Sequence, residues 1–577
     1  MFSQVWYRLI FLGLLTSRNV VSAQRQRQWH TDATYINTPS STAADPYVRW
    51  DSNTSLYYAY STEGADDGWF FGLYTSPDLA TWTKLPGGAI KNETASKLWA
   101  DDWYWAPECY LNENTGWYFL FYAGRMTNQT NVARYFKYPD FEEASKIGVA
   151  VSRSPSGPFI NIEASPIDYY PFDPDYHDVN LIMSPPYLVP PSTLEEGETA
   201  PLGSFIPGID PDIYFGDDED EGMFLFFSRN AYRNWVWDPK YNKYIEESNI
   251  YGVRLNGAWW NDADAKTLPA VHSDFKDVNK GKLANWTSAV NDSFPAGPER
   301  MDGWVSVISR TLQPQIWEDA HVFDYAASNG TLKDRRWSEG STTIKRTDSD
   351  GISIYFLTYS ANNYESPDYG VGYAYAPSPL GPYAKSNSNP ILSQDASRNI
   401  YSTGHGSIVA VPSSSTGSGK EEFYYPHHAR PSPDDDRYLY ISRLFVDPDQ
   451  LYVAFGPDTG DLRLPSGSAP FDMQVARTTT TTTNGSDSNY LVTVKNRYGV
   501  ELDLENAANR VRVLVNGTEV ANGTSDISLD GVENGSQVTF RYQRARFNAS
   551  EPWLDVKQFQ GLAGETWVEV NITHEGS

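Results

Sequence analysis

The sequence predicts an all-β chain, a five-bladed β-propeller followed by a small C-terminal β-sandwich, and three observations predict it. First, helical spacing is scarce. Short runs of aromatic and β-branched residues, such as Leu56-Tyr57-Tyr58-Ala59-Tyr60, Trp117 to Tyr122 and Ile354 to Tyr359, are separated by Gly, Pro, Asn and Asp, which is the signature of strands and tight turns. Second, the chain repeats itself. Gly148 through Phe159 returns as Gly372 through Tyr383, with a looser copy from Gly72 to Trp82. Repetition of one strand-and-turn unit is how a propeller is written in sequence. Third, the character changes near 475–485, where the run Thr478 to Thr483 and Asn484-Gly485-Ser486 suggest a turn or linker.

Each element can then be placed. Blades are expected at 40–95, 100–165, 205–260, 335–390 and 400–465, with long insertions near 166–204 and 262–334. The propeller is expected to occupy 24–470. The runs Leu491 to Val494, Val511 to Val515 and Gln537 to Phe540 suggest a sandwich over 480–577.

Composition narrows the classes of function. At 577 residues the chain is long for one core and fits a large domain plus a smaller one. A net charge of −28 excludes non-specific nucleic-acid binding, which needs a basic surface. No polybasic patch suits a membrane surface, so a neutral ligand fits best. The aromatic share of 15% serves either β-rich cores or the flat C–H faces of sugar rings. Met1 to about Ala23 resembles a secretory leader, with Arg8, an apolar stretch through Leu15 and a small-residue site at Val21-Ser22-Ala23. Sequons such as Asn92-Glu93-Thr94 and Asn516-Gly517-Thr518 agree with a glycosylated, extracellular protein. No later run is long and apolar enough to span a bilayer. Cys109 is the sole cysteine, so no internal disulfide forms, and it is expected to be a buried small hydrophobe.

Three carboxylates stand near the starts of separate blades: Asp45 in Ala44-Asp45-Pro46, Asp210 in Ile209-Asp210-Pro211, and Glu339 in Ser338-Glu339-Gly340-Ser341. Propeller geometry brings such positions together at the central channel, and proline after each Asp holds its backbone extended. Three acids suit inverting glycoside hydrolysis. One carboxylate deprotonates water, one carboxylic acid protonates the leaving oxygen, and the pair stands roughly 6.5–9.5 Å apart. A third acid raises the pKa of the proton donor.

These motifs, with Trp105-Ala106-Pro107-Glu108, Tyr359-Ser360-Ala361-Asn362, Gly370 through Tyr383 and Gly404-His405-Gly406-Ser407, resemble glycoside hydrolase family 43 over about residues 40–465. The resemblance implies a five-bladed propeller acting on arabinans, arabinoxylans and xylo-oligosaccharides. It implies Asp45 as general base, Glu339 as general acid and Asp210 as modulator of the acid's pKa. Family members commonly carry Glu-Gly-Pro at the acid, and Ser341 stands here in place of Pro; Glu318 is the rival acid. The resemblance further assigns Trp105, Asn362, His405 and Arg430 to substrate binding, and aligns His428 with a strand of the last blade. His405 matches a histidine near the propeller axis that in some members binds calcium; no other cofactor is implied. The expected activity is that of a secreted, monomeric α-L-arabinofuranosidase on plant cell-wall polysaccharide. β-Xylosidase, endo-arabinanase and a non-catalytic sugar-binding propeller are the alternatives.

Overall fold

A computed structural model describes most of residues 36–167, 207–272, 305–455 and 471–562. The expected leader and most of the stretch 166–204 lie outside the described residues. The chain is mostly strand, and five antiparallel sheets form the blades of a propeller. Blade one runs Tyr47–Asp51, Leu56–Ser61, Gly72–Ser76 and Thr83–Lys84 from inside to outside. Blade two runs Asp102–Asn112, Trp117–Arg125, Ser145–Ser152 and Ile160–Asn161. Blade four runs Ser338–Thr347, Ser353–Ala361, Gly370–Ala376 and Ala384–Lys385. The internal repeats therefore mark equivalent places, the third strand and outer turn of blades one, two and four.

Two blades are completed from places that local sequence pattern does not reveal. Blade three (Gly208–Phe215, Met223–Arg229, Asn249–Leu255) takes its outer strand, Val305–Ile308, from inside the stretch expected to be an insertion. Blade five (Tyr401–Gly406, Glu422–Arg430, Tyr438–Asp447) is edged by Ile36–Thr42 from the other end of the chain. This strand closes the ring and satisfies a sheet edge that would otherwise be open. Val305–Ile308 is itself apolar, with Val307 and Ile308 buried; what local pattern does not show is its pairing with Asn249–Leu255 across the intervening stretch.

The Thr run also departs from expectation. Phe471–Thr482 is one continuous strand paired with Gly485–Asn496, so the second unit begins at Phe471 and Thr478 to Thr482 form no linker. Threonine is β-branched and suits a pleated surface, which outweighs its low-complexity appearance. The partner sheet comprises Asn509–Val515, Thr518–Asn522, Gln537–Ala545 and Trp553–Leu562. Tyr490 of one sheet meets Phe540 of the other, ring centroids 5.8 Å apart, with both residues buried. The pair makes the core of a β-sandwich.

Most of the aromatic surplus is structural. Tyr60, Tyr122, Tyr359, Tyr373 and Tyr425 are fully buried between blades. Cys109 is fully buried beside them, and burial pushes its thiol up to about 11, so it is a core residue rather than a nucleophile. Among the described residues no helix is long and apolar enough to cross a membrane.

Four of the inner strands share a device that positions the site. Their pairing slips between Trp105 and Glu108, Ile209 and Asp212, Glu339 and Thr342, and Gly404 and Gly406. Near these slips Ala106, Asp210, Gly340 and His405 adopt left-handed φ angles of 47°, 55°, 56° and 42°. A bulge breaks strict alternation and re-aims side chains. Non-glycine residues in this region cost on the order of 1–3 kcal/mol each, strain that functional sites tend to hold.

Candidate active site

At one end of the ring, all five blades contribute to a cavity of about 230 Å³ lined by Asp45, Trp103, Trp105, Asp210, Trp337, Glu339, His405 and Arg437 among others. The three carboxylates of Asp45, Asp210 and Glu339 thus share one space.

Asp45 precedes the inner strand of blade one and has φ 49°. Thr62 Oγ1 donates to its Oδ2 at 2.7 Å, and the N–H of Ala106 donates to the same hydroxyl at 2.8 Å, tying blade two to blade one. Arg437 Nη1 donates to Asp45 Oδ1 at 3.2 Å, and His405 Nδ1 lies 3.2 Å from that oxygen. The N–H of Asp45 donates to His428 Nδ1 at 3.2 Å. Since burial holds the His428 pKa down to about 3, this ring is neutral and accepts through Nδ1. Burial alone would push the Asp45 carboxyl up. Arg437, then His405, override it and hold the group well below the usual carboxylate range.

Glu339 is the opposite case. Burial first, then the charge of Asp210, hold its carboxyl well above the ordinary value, although Tyr369 donates to Oε1 at 2.9 Å and works the other way. Asp210 is itself raised, chiefly by burial. The N–H of Gly340 donates to Asp210 Oδ2 at 3.2 Å and to Ser228 Oγ at 3.0 Å. Gly340 has to be glycine: a Cβ there would stand 2.7 Å from Cγ of His405. The surroundings thus favour the ionised form of Asp45 and the protonated form of Glu339. Two carboxyl groups whose surroundings push their pKa values apart are how acid and base roles are divided in such sites.

The aromatic wall is a stack. Trp103 and Trp105 lie nearly parallel, 15° apart with centroids at 4.6 Å. The guanidinium of Arg125 sits 3.4 Å over the Trp103 ring and is clamped by Asp102 through two bonds of 2.7 and 2.6 Å. Groups that close fit only on opposite faces of one ring, so Trp103 is sandwiched and backs Trp105.

Residues 312–447 match the glycosyl hydrolases family 43 profile. Over that stretch the chain is similar to family 43 of the glycosyl hydrolases. No curated protein matches it in a sequence search. Among solved structures it is similar to a thermostable family-43 glycoside hydrolase (23% identity, covering 75% of this chain and 99% of that one, TM-score 0.45). It is also similar to an endo-1,4-β-xylanase from Bacteroides thetaiotaomicron VPI-5482 (23% identity, 74% and 97% covered, TM-score 0.44). A third, a xylan β-1,4-xylosidase from Bacillus halodurans C-125, is 12% identical with 94% and 92% covered and a TM-score of 0.40. The matched stretch contains Glu339, His405 and Arg437; Asp45 and Asp210 lie outside it, and the geometry of the cavity joins them to it.

Two expected substrate ligands stand elsewhere. Asn362 is buried and its amide is spent on the backbone: Nδ2 donates to the carbonyls of Trp317 and Asp368 at 2.8 and 3.0 Å, and Oδ1 accepts from Ala320 N–H at 3.3 Å. It holds a loop whose next residues, Asn363, Tyr364 and Glu365, reach the cavity. Arg430 ends one strand of a blade-five hairpin and donates to the Asp435 carbonyl within the turn. Of the two arginines at this turn it is Arg437, just before the returning strand, that lines the cavity. Glu318 is also out of reach, fully buried against Lys385 Nζ at 2.6 Å and Tyr359 Oη at 2.9 Å. Calcium takes six to eight oxygen ligands. His405 turns Nδ1 to Asp45, and among the described residues no cluster of three or more His, Cys, Asp or Glu is set to hold a metal.

Two outcomes follow from this geometry. Arg437→Gln removes the main group keeping Asp45 charged, so the acid limb of the kcat/KM–pH profile moves to higher pH; an unmoved limb contradicts that role. Glu318→Gln strands the buried ammonium of Lys385 and costs about 3–5 kcal/mol in chemical denaturation, while hydrolysis of an aryl pentoside persists.

Proposed function

We propose that the enzyme is an inverting α-L-arabinofuranosidase that removes single arabinose units from arabinoxylan or arabinan outside the cell. The observation that carries this reading is the pairing, in one cavity, of a carboxyl held ionised and a carboxyl held protonated. Asp45, fixed by Thr62 and Arg437, takes a proton from water as that water attacks the anomeric carbon. Glu339 gives its proton to the departing glycosidic oxygen. Asp210 supplies the negative charge that keeps Glu339 protonated until that moment.

A compact cavity of about 230 Å³ supports release of a single sugar from a chain end or side branch. The Trp105 face, backed by Trp103 and Arg125, suits the C–H face of a sugar. The apolar leader-like segment at 1–23 supports secretion. A β-xylosidase would use the same acids, and the loops around the cavity decide between the two sugars.

Glu339→Gln is expected to lower turnover of an arabinofuranoside with a poor leaving group by about a hundred- to ten-thousand-fold, while calorimetry still detects sugar binding. Full activity in Glu339→Gln overturns the assignment. On arabinoxylan, linear arabinan and xylobiose, free arabinose is the expected product; xylose from xylobiose alone makes the enzyme a β-xylosidase, and internal cuts in arabinan make it an endo-enzyme.

A further inference from the structure

Tyr369 touches the machinery from behind. It is fully buried and absent from the cavity wall, yet its hydroxyl donates to Glu339 Oε1 at 2.9 Å. Its ring stacks on the imidazole of His428, planes 6° apart and centroids 5.6 Å apart. His428 is the ring that accepts the N–H of Asp45. On another side Gly404 presses against Tyr369: a Cβ at Gly404 would stand 2.2 Å from Cε1. The ring is therefore caught between blade-five backbone and an imidazole, and its one polar atom is aimed at one carboxylate oxygen.

We propose that Tyr369 is a positioning residue for the proton donor, fixing which oxygen of Glu339 faces the leaving group. A carboxylic acid donates along one of two oxygens. With Oε1 engaged by the Tyr369 hydroxyl, the proton of Glu339 resides on Oε2, and that oxygen is the one left to face the glycosidic oxygen in the cavity. The clamp by Gly404 and His428 makes the choice rigid, since a tyrosine free to rotate would leave both oxygens equivalent. Because His428 also holds the Asp45 backbone, the supports of the acid and of the base meet in one stacked pair. The inference rests on the reading of Glu339 as general acid.

The test compares substrates of one sugar and two leaving groups. A dinitrophenyl glycoside leaves with little protonation, whereas a methyl glycoside needs the acid. Wild type, Glu339→Gln and Tyr369→Phe are assayed on both, on whichever pentose the enzyme hydrolyses, with full kcat/KM–pH profiles. Tyr369→Phe keeps the ring, its stack and its fit against Gly404. Loss of the hydrogen bond to a carboxyl that becomes charged as it gives up its proton is expected to make Tyr369→Phe lose about tenfold more kcat/KM on the methyl than on the dinitrophenyl glycoside. The basic limb should also move to higher pH, because the hydroxyl no longer favours the ionised form of Glu339. A purely structural tyrosine lowers the melting temperature and moves neither readout. If Glu339→Gln shows the leaving-group dependence and Tyr369→Phe does not, the positioning role is overturned while the acid stands. If neither variant shows it, the acid assignment falls and this inference with it.

Discussion

Carboxyl groups crowded into one buried cavity cannot all shed their protons, and the contact that decides which of them does is the ion pair between Arg437 and Asp45. Burial raises the pKa of any carboxyl, and Asp45, Asp210 and Glu339 are all subject to it. Arg437 pairs directly with Asp45: Nη1 lies 3.2 Å from Asp45 Oδ1, while Nη2 is steadied by Glu63 at 2.7 Å. With the negative charge assigned to Asp45, proton retention by Glu339 follows from burial and from Asp210. Bulged inner strands aim Asp210 and Glu339 at the place where Asp45, before the regular inner strand of blade one, also stands, and the closing strand Ile36–Thr42 keeps the ring from opening around them.

Much of the fold is legible in the sequence because propeller blades repeat. The copies at Gly148, Gly372 and Gly72 fall on equivalent third strands, since the same turn must be built each time. The departures lie at the edges. Ile36–Thr42 and Val305–Ile308 are outer strands, and each pairs with a strand well removed from it in sequence. Thr478 to Thr482 resembles a linker by composition and is a strand by pairing. Local pattern carries no information about a partner supplied from elsewhere.

The site is legible to the extent that it depends on motif positions. Asp45, Asp210 and Glu339 each precede a strand in a recognisable setting, and the structure brings all three to the cavity with Trp105 and His405. The signal for Arg437 is its place at the opening of the strand Tyr438–Asp447, directly across a hairpin from Arg430. Sequence alone does not say which of two arginines at one turn faces inward. Asn362 departs from expectation for a related reason. Its amide satisfies three backbone groups of a loop with a left-handed turn at φ 74°, a demand invisible until the loop is folded. Tyr369 leaves no trace in the sequence either, because its importance lies in a hydroxyl aimed across blades.

If Asp45 acts on water while Glu339 acts on the leaving oxygen, the released sugar must have inverted at its anomeric carbon. Proton NMR of the first sugar formed, recorded within seconds of mixing and before mutarotation, tests this most directly. Hydrolysis of an α-L-arabinofuranoside is predicted to yield the β-anomer first. An initial α-anomer would mean a covalent glycosyl-enzyme formed on a carboxylate, and would contradict the roles of all three acids.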